Sequence, residues 1–260
     1  MTIHKLLALR LAGCLLLSAG WLCQADAYIV VNGTRVIYPA QKKEVIVNIQ
    51  NFDKTPSLVQ AWLDSGDAQS KPESSKVPFI MSPPLFRLDP GKGQTLRLVY
   101  TQEPLPLDRE SLFWLNILDI PPSQAANPEA PANQLEFAFK HRLKVFFRPP
   151  SLPGNAISAP AKITWELIRN ESGKTALKAS NPTPFHVNFN NVDLVVGGTH
   201  YETASEMLEP FSTRIFSVPK LSATPQGEAS VDYTFINDLG GASTGIAAIS
   251  KGTGTSPASR

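Results

Sequence analysis

Residues 135–148 constrain the fold of this 260-residue chain more than any other stretch. The odd positions are Leu135, Phe137, Phe139, His141, Leu143, Val145 and Phe147. The even positions are Glu136, Ala138, Lys140, Arg142, Lys144, Phe146 and Arg148. In an extended strand alternate side chains leave on opposite faces, so period-two patterning sorts them into one mostly apolar face and one mostly charged face. Strands usually run ~5–6 residues, whereas this pattern at ~3.3 Å per residue reaches ~45 Å. That exceeds what one small sandwich requires. The segment commits the chain to sheet, and its excess length asks for a purpose beyond core packing. Alternation alone, however, marks any half-buried strand.

The neighbouring sequence repeats the same theme in shorter units. Residues 44–50 alternate Val45, Val47 and Ile49 with mainly polar neighbours, and residues 94–100 alternate Leu96, Leu98 and Tyr100. Residues 57–63 carry Leu58, Val59 and Trp62, and residues 111–118 (SLFWLNIL) form a near-continuous apolar run suited to a sandwich core. Turn signals separate them, including Asn51 to Pro56, Asp64-Ser65-Gly66-Asp67, Pro83-Pro84 and Asp89-Pro90-Gly91. A loop rich in Ala, Asn and Pro (Ser123 to Asn133) precedes the long strand. Pro149-Pro150-Ser151-Leu152-Pro153-Gly154 follows it and marks a domain boundary. A second strand series is predicted at 162–168, 175–179, 185–196, 211–218 and 230–237. Short strands at regular spacing imply an all-β chain of sandwich or barrel type. The 23 prolines scattered through it disfavour long helices. The domains are expected at 28–150 and 155–245, with a disordered tail at 246–260.

The first 27 residues read as a signal peptide. Lys5 and Arg10 supply a positive start, residues 11–22 an apolar run too short to span a bilayer, and Ala25-Asp26-Ala27 a small-residue cleavage site before Tyr28. Leu11-Ala12-Gly13-Cys14 also resembles a lipoprotein box, but cutting there leaves almost no apolar run after Arg10. Both cysteines, Cys14 and Cys23, lie in this segment, so the exported chain is expected to rely on its core alone. A bacterial-type signal points to the periplasm. The net charge of only +2 gives no support for a nucleic-acid partner, and no later apolar run is long enough for membrane insertion.

Residues 105–122 read LPLDRESLFWLNILDIPP. This resembles the signature of the periplasmic pilus (fimbrial) assembly chaperones of the chaperone–usher pathway, the PapD-like family. Gly33-Thr34-Arg35-Val36, Gln60-Ala61-Trp62, Pro83-Pro84 through Arg87-Leu88-Asp89-Pro90-Gly91, Lys144 to Pro149, Asn181 to Phe185 and Asn237 to Gly241 are similar to family segments in the same order. Together they cover most of residues 28–245. The resemblance implies two immunoglobulin-like β-sandwich domains in an L-shaped arrangement. It implies a protein that binds, folds and caps pilus subunits by donating a strand, and delivers them to an outer-membrane usher.

The resemblance also assigns roles. Leu135, Phe137 and Phe139 match donor residues, and burying three such side chains contributes ~5–9 kcal/mol. Leu143, Val145 and Phe147 would pack into the chaperone's own sandwich. Arg35 and Lys144 match a cleft pair that binds the subunit's terminal carboxylate by charge-assisted hydrogen bonds, fixing the register of the partner strand. Glu110, Arg148 and Asp238 match a charged trio joining the two domains. Self-association through exposed Phe137 and Phe139 is a further expectation. The chain departs from the family in a longer loop at 123–134, without the cysteine pair of long-loop members. After Gly241 only Ile246 and Ile249 are large and apolar, so the last strand is the weakest part of the match.

No enzymatic chemistry is legible. There is no Gly-x-Ser-x-Gly elbow, and His141, His186 and His200 are isolated, each reading as a structural residue. Pro90-Gly91-Lys92-Gly93-Gln94 reads as a turn before a strand, with no following helix to make a phosphate loop. No metal or cofactor is therefore expected. The rival readings are a structural pilus subunit or adhesin, which typically carries a cysteine pair, and a secreted enzyme on an all-β scaffold.

Overall fold

The computed structural model describes residues 29–122, 137–170, 172–221 and 227–250. Among the described residues nine strands precede residue 149: β1 (Ile29–Val31), β2 (Arg35–Pro39), β3 (Val45–Asn51), β4 (Ser57–Asp64), β5 (Phe79–Ser82), β6 (Leu85–Leu88), β7 (Gly93–Tyr100), β8 (Ser111–Ile120) and β9 (Phe139–Arg148). They form two facing sheets, ordered β1-β3-β7-β5 and β2-β9-β8-β4-β6. Period-two patterning decides which side chains meet between them. Val47 and Ile49 of β3, Leu96 and Leu98 of β7, Val59 of β4, Leu115 and Ile117 of β8 and Val145 of β9 all face inward and are buried. At one end Tyr38, Phe79, Tyr100, Phe113 and Phe147 form an aromatic cluster, with ring centroids 4.5 Å apart for Tyr100 and Phe147 and 5.0 Å for Phe79 and Phe113. Tilted and edge-to-face arrangements of this kind suit the ring quadrupole.

Eight further strands build a second body: β10 (Thr164–Arg169), β11 (Thr175–Ser180), β12 (Val187–Val196), β13 (Thr199–Glu202), β14 (Met207–Leu208), β15 (Thr213–Ser217), β16 (Ala229–Ile236) and β17 (Ala242–Ser250). Their order is β13-β12-β16-β17-β10-β11-β15, with β14 on β12. A short parallel contact, Trp165 with Ile249 and Glu166 with Ser250, joins the two halves into one continuous sheet. Trp165 is the centre of this core, 5.5 Å from the Phe189 ring and 5.9 Å from that of Phe216. The two hydrophobic cores share no residue.

The chain after Gly241 differs from expectation. Instead of a tail from residue 246, β17 runs to Ser250, and residues 251–260 lie outside the described residues. The strand holds because its ladder to β16 pairs Ala242 through Ala248 with Ile236 through Ser230 and needs no large side chains. Gly245 leaves room for the Tyr233 ring, which would stand 2.4 Å from a Cβ at that position. Ile249 turns inward onto the core and Ile246 turns outward.

Candidate functional site

Strand β9 has two unlike halves. Antiparallel to β8 it pairs along its whole length, from Phe139 opposite Asp119 to Phe147 opposite Ser111. On its other side β2 runs parallel to it only from Lys144 to Arg148. Among the described residues no strand borders 140–143 on the β2 side, which leaves that edge of the sheet open. The same odd-numbered face changes character along this line. Leu143, Val145 and Phe147 are buried at 6%, 0% and 2% exposure, whereas Phe137 and Phe139 are 60% and 44% exposed. Leu135 lies outside the described residues. An open edge offers unpaired backbone groups, and flanking apolar side chains at period two offer pocket ligands.

From Lys144 to Arg148 the even-numbered face of β9 looks toward the second domain, whereas Lys140 and Arg142 bond to the Ala68 carbonyl and Asp64 of the first. Arg35 and Lys144 are direct partners in the β2–β9 register, and parallel partners project from the same face. Each is half-buried, and each reaches across to the second domain. Arg35 Nη1 donates to the Ile236 carbonyl at 2.9 Å, and Lys144 Nζ donates to Asn188 Oδ1. The Arg35 guanidinium stands 5.9 Å from the Phe146 ring centroid, and Lys144 Nζ 5.4 Å from that of Trp114. Arg35 Nε is buried with no hydrogen-bond partner among the described residues. Desolvation by burial pushes both cations below their ordinary pKa values. The Arg35 charge pushes Lys144 further down, while Asp238 partly offsets the effect on Arg35. Two partly desolvated like charges side by side favour an anion between them.

Glu110, Arg148 and Asp238 come together at the domain junction. Arg148 Nε donates to Glu110 Oε1 at 2.7 Å, and its Nη1 and Nη2 form a fork onto Asp238 at 2.7 and 3.0 Å. Burial pulls the Arg148 pKa down, but the hydrogen bonds and charges of Asp238 and Glu110 outweigh it and leave the guanidinium above its ordinary value. His186, read from the sequence as isolated, belongs to this junction. Its backbone N–H donates to Glu110 Oε2 at 2.8 Å, and its Nδ1 lies 3.2 Å from the same oxygen. The Glu110 N–H also donates to the Pro184 carbonyl at 3.0 Å. Arg35, Phe146, Arg148, His186, Asn188 and Asp238 all line one small recess between the domains.

Sequence reasoning missed Asn188, His186 and Trp114 as parts of this site. Asn188 is the second residue of β12, and its partner Lys144 lies in the other domain. The only local signal was Asn181-Pro182-Thr183-Pro184-Phe185, which brings β12 to the junction. Asn181 organises that loop, donating to the Phe185 and Glu209 carbonyls and accepting from Thr183. Among the described residues no group of His, Cys, Asp and Glu has the arrangement of a metal site.

Two immunoglobulin-like sandwiches, an open strand edge and a paired-cation cleft define a two-domain protein built to hold an extended chain segment. Comparison with known proteins makes the class specific. Residues 28–153 match the pili and flagellar-assembly chaperone PapD N-terminal domain, and residues 158–247 match the pili assembly chaperone PapD C-terminal domain. The chain belongs to the PapD-like family of pilus-assembly chaperones. It is 43% identical over 222 residues to the probable fimbrial chaperone YadV of Escherichia coli, spanning 85% of this chain and 89% of that protein. The crystal structure of the Pseudomonas aeruginosa CupB2 chaperone superimposes with a TM-score of 0.71 at 38% identity, covering 85% of this chain and all of that one. The SafB chaperone, solved in complex with the Salmonella enterica SafA pilin, gives a TM-score of 0.69 at 28% identity over 87% of this chain and 99% of that one. The family and the two-sandwich fold expected from the resemblance both hold. The chaperone reading prevails over the structural-subunit alternative.

Proposed function

We propose that this chaperone acts in the periplasm, after removal of residues 1–27, and that it captures pilus subunits by lending them β9 and the residues just before it. The observation that supports this reading most strongly is the change along one strand face. The residues that pack the chaperone's own core at 143–147 continue at the same parity into exposed Phe137 and Phe139, beside an edge that β2 leaves open. A subunit strand added there forms main-chain hydrogen bonds with β9, and Leu135, Phe137 and Phe139 fill its groove. Arg35 and Lys144 bind the subunit's terminal carboxylate and so fix register, since a slip of one residue turns every groove side chain the wrong way. Glu110, Arg148 and Asp238 hold the second domain against the cleft. Handover of the loaded subunit to an outer-membrane usher completes the reading.

The test is periplasmic co-purification with pilins of the same host. The wild-type chain is expected to retain a pilin at one-to-one ratio and Lys144→Ala to lose it. Retention by both variants removes the carboxylate anchor, and capture of no pilin by the wild type removes donor-strand capture itself. The intact mass of the periplasmic form checks cleavage before Tyr28.

A further inference from the structure

Lys144 has a partner in the free chaperone, and the identity of that partner carries an inference that rests on the carboxylate-anchor reading above. Asn188 is 6% exposed and belongs to the second domain, where its backbone pairs with Met207. Its Oδ1 accepts a hydrogen bond from Lys144 Nζ across the cleft. The other cleft cation, Arg35, is met by the Ile236 carbonyl. Both acceptors are therefore uncharged amide oxygens contributed by the second domain. The two acids nearby, Glu110 and Asp238, are engaged with Arg148. Among the described residues no carboxylate is ion-paired with Lys144.

An amide oxygen and a carboxylate oxygen occupy similar positions on an ammonium group, but only the carboxylate adds the attraction of a full opposite charge to the hydrogen bond, which an amide dipole lacks. A neutral acceptor keeps the partly desolvated Lys144 ammonium satisfied and aimed into the cleft, yet yields to an incoming carboxylate. A carboxylate built in at the same place would not yield, because an intramolecular competitor acts at a high effective concentration. We propose that Asn188 is a neutral place-holder for the client's terminal carboxylate, and that its lack of charge makes the cleft discriminate a free acid terminus from other chain ends.

The experiment uses the full-length exported chain and a synthetic peptide copying the last strand of a pilin from the same host. The peptide is made once as the C-terminal acid and once as the C-terminal amide. Calorimetry or fluorescence anisotropy yields the acid-to-amide affinity ratio, which a loss of structure alone does not change, since damage weakens both peptides together. For the wild type, charge-assisted bonds of the usual strength correspond to a ratio of ~10 or more. Asn188→Asp is expected to bring the ratio to about 1 by weakening only the acid. Asn188→Ala and Asn188→Ser, which add no charge, are expected to keep the ratio within about threefold of wild type. They keep the inference testable if the acidic variant folds poorly. A wild-type ratio persisting in Asn188→Asp overturns the place-holder role while leaving the anchor intact. So does a ratio that collapses in Asn188→Ala or Asn188→Ser. A wild-type ratio of about 1 overturns the anchor reading itself, and the place-holder with it.

Discussion

Arg148→Ala probes the joint between the domains. The substitution deletes three charge-assisted hydrogen bonds, at 2.7 Å to Glu110 and at 2.7 and 3.0 Å to Asp238. The two carboxylates left behind differ in their access to water. The Asp238 side chain is 31% exposed and rehydrates, whereas that of Glu110 is 1% exposed and does not. Removing one member of a buried pair costs ~3–5 kcal/mol because the other charge is stranded. The N–H of His186 still donates to Glu110, which sets the loss near the lower end, about 3 kcal/mol. A chain of this size shifts its Tm by ~2–4 °C per kcal/mol, so the expected drop is about 6–12 °C. Scanning calorimetry of the full chain reads both the drop and the separation of the two domains into distinct transitions as the joint loosens. Arg87→Ala is the control. It breaks an ion pair whose members are 69% and 57% exposed, and is expected to move Tm by no more than about 2 °C. An Arg148→Ala protein that melts as the control does, in one transition, refutes the reasoning.

Three further outcomes are expected. Phe137→Asp leaves thermal stability within about 1 kcal/mol of wild type but abolishes pilin retention, whereas Val145→Asp, on the same strand face, prevents folding; equal destabilisation by both would show that the face does not change character. Burial pushes the Asp64 carboxyl up, but hydrogen bonds from Asn116, the Gly66 N–H and Arg142 outweigh it and hold its pKa below the ordinary carboxylate value. Its stabilising contribution is thus present above the unfolded value of about 4 and is lost as pH falls through the lower folded value. The Tm gap between wild type and Asp64→Asn should accordingly narrow in acid, and a gap that ignores pH contradicts the assignment. Gly245→Ala places a methyl against the buried Tyr233 ring and should cost ~1–3 kcal/mol by overpacking, read as a lowered denaturant midpoint; an unchanged midpoint shows that the ring has room to move.

Legibility followed the local character of each signal. β3, β4, β7 and β8 announced themselves because patterned burial and bounding turns lie within a few residues of one another. β9 did so most clearly, and its charged even face already held Lys144 and Arg148, although the strand begins at Phe139 and the period-two pattern at 137–138 continues beyond its ladder to β8. β17 did not, because Ala, Ser, Thr and Gly give weak apolar contrast. Its strand form is imposed by the ladder to β16 and by the space Gly245 leaves for Tyr233. The short β1, β5, β13 and β14 were hidden for a related reason, being defined by their partners more than by their own composition. The Asn188–Lys144 and His186–Glu110 contacts cross between domains, over 44 and 76 residues of sequence, and nothing in a one-dimensional pattern couples such positions. The resemblance supplied the cations and the trio; only the folded chain shows which groups of the second domain meet them.

Lys144, Phe139 and Phe137 stand on one uninterrupted strand segment and its immediate extension, with no turn between them. At ~3.3 Å per residue the backbone of Lys144 lies ~17 Å from that of Phe139 along the strand, and Phe137 stands two residues before its start. Covalent geometry thus makes β9 a ruler with its zero mark at the ammonium group. A client whose chain end rests at that mark has each groove position set by residue count alone. Under the proposed capture, its own sequence need only present the groove at the right distance from its last residue.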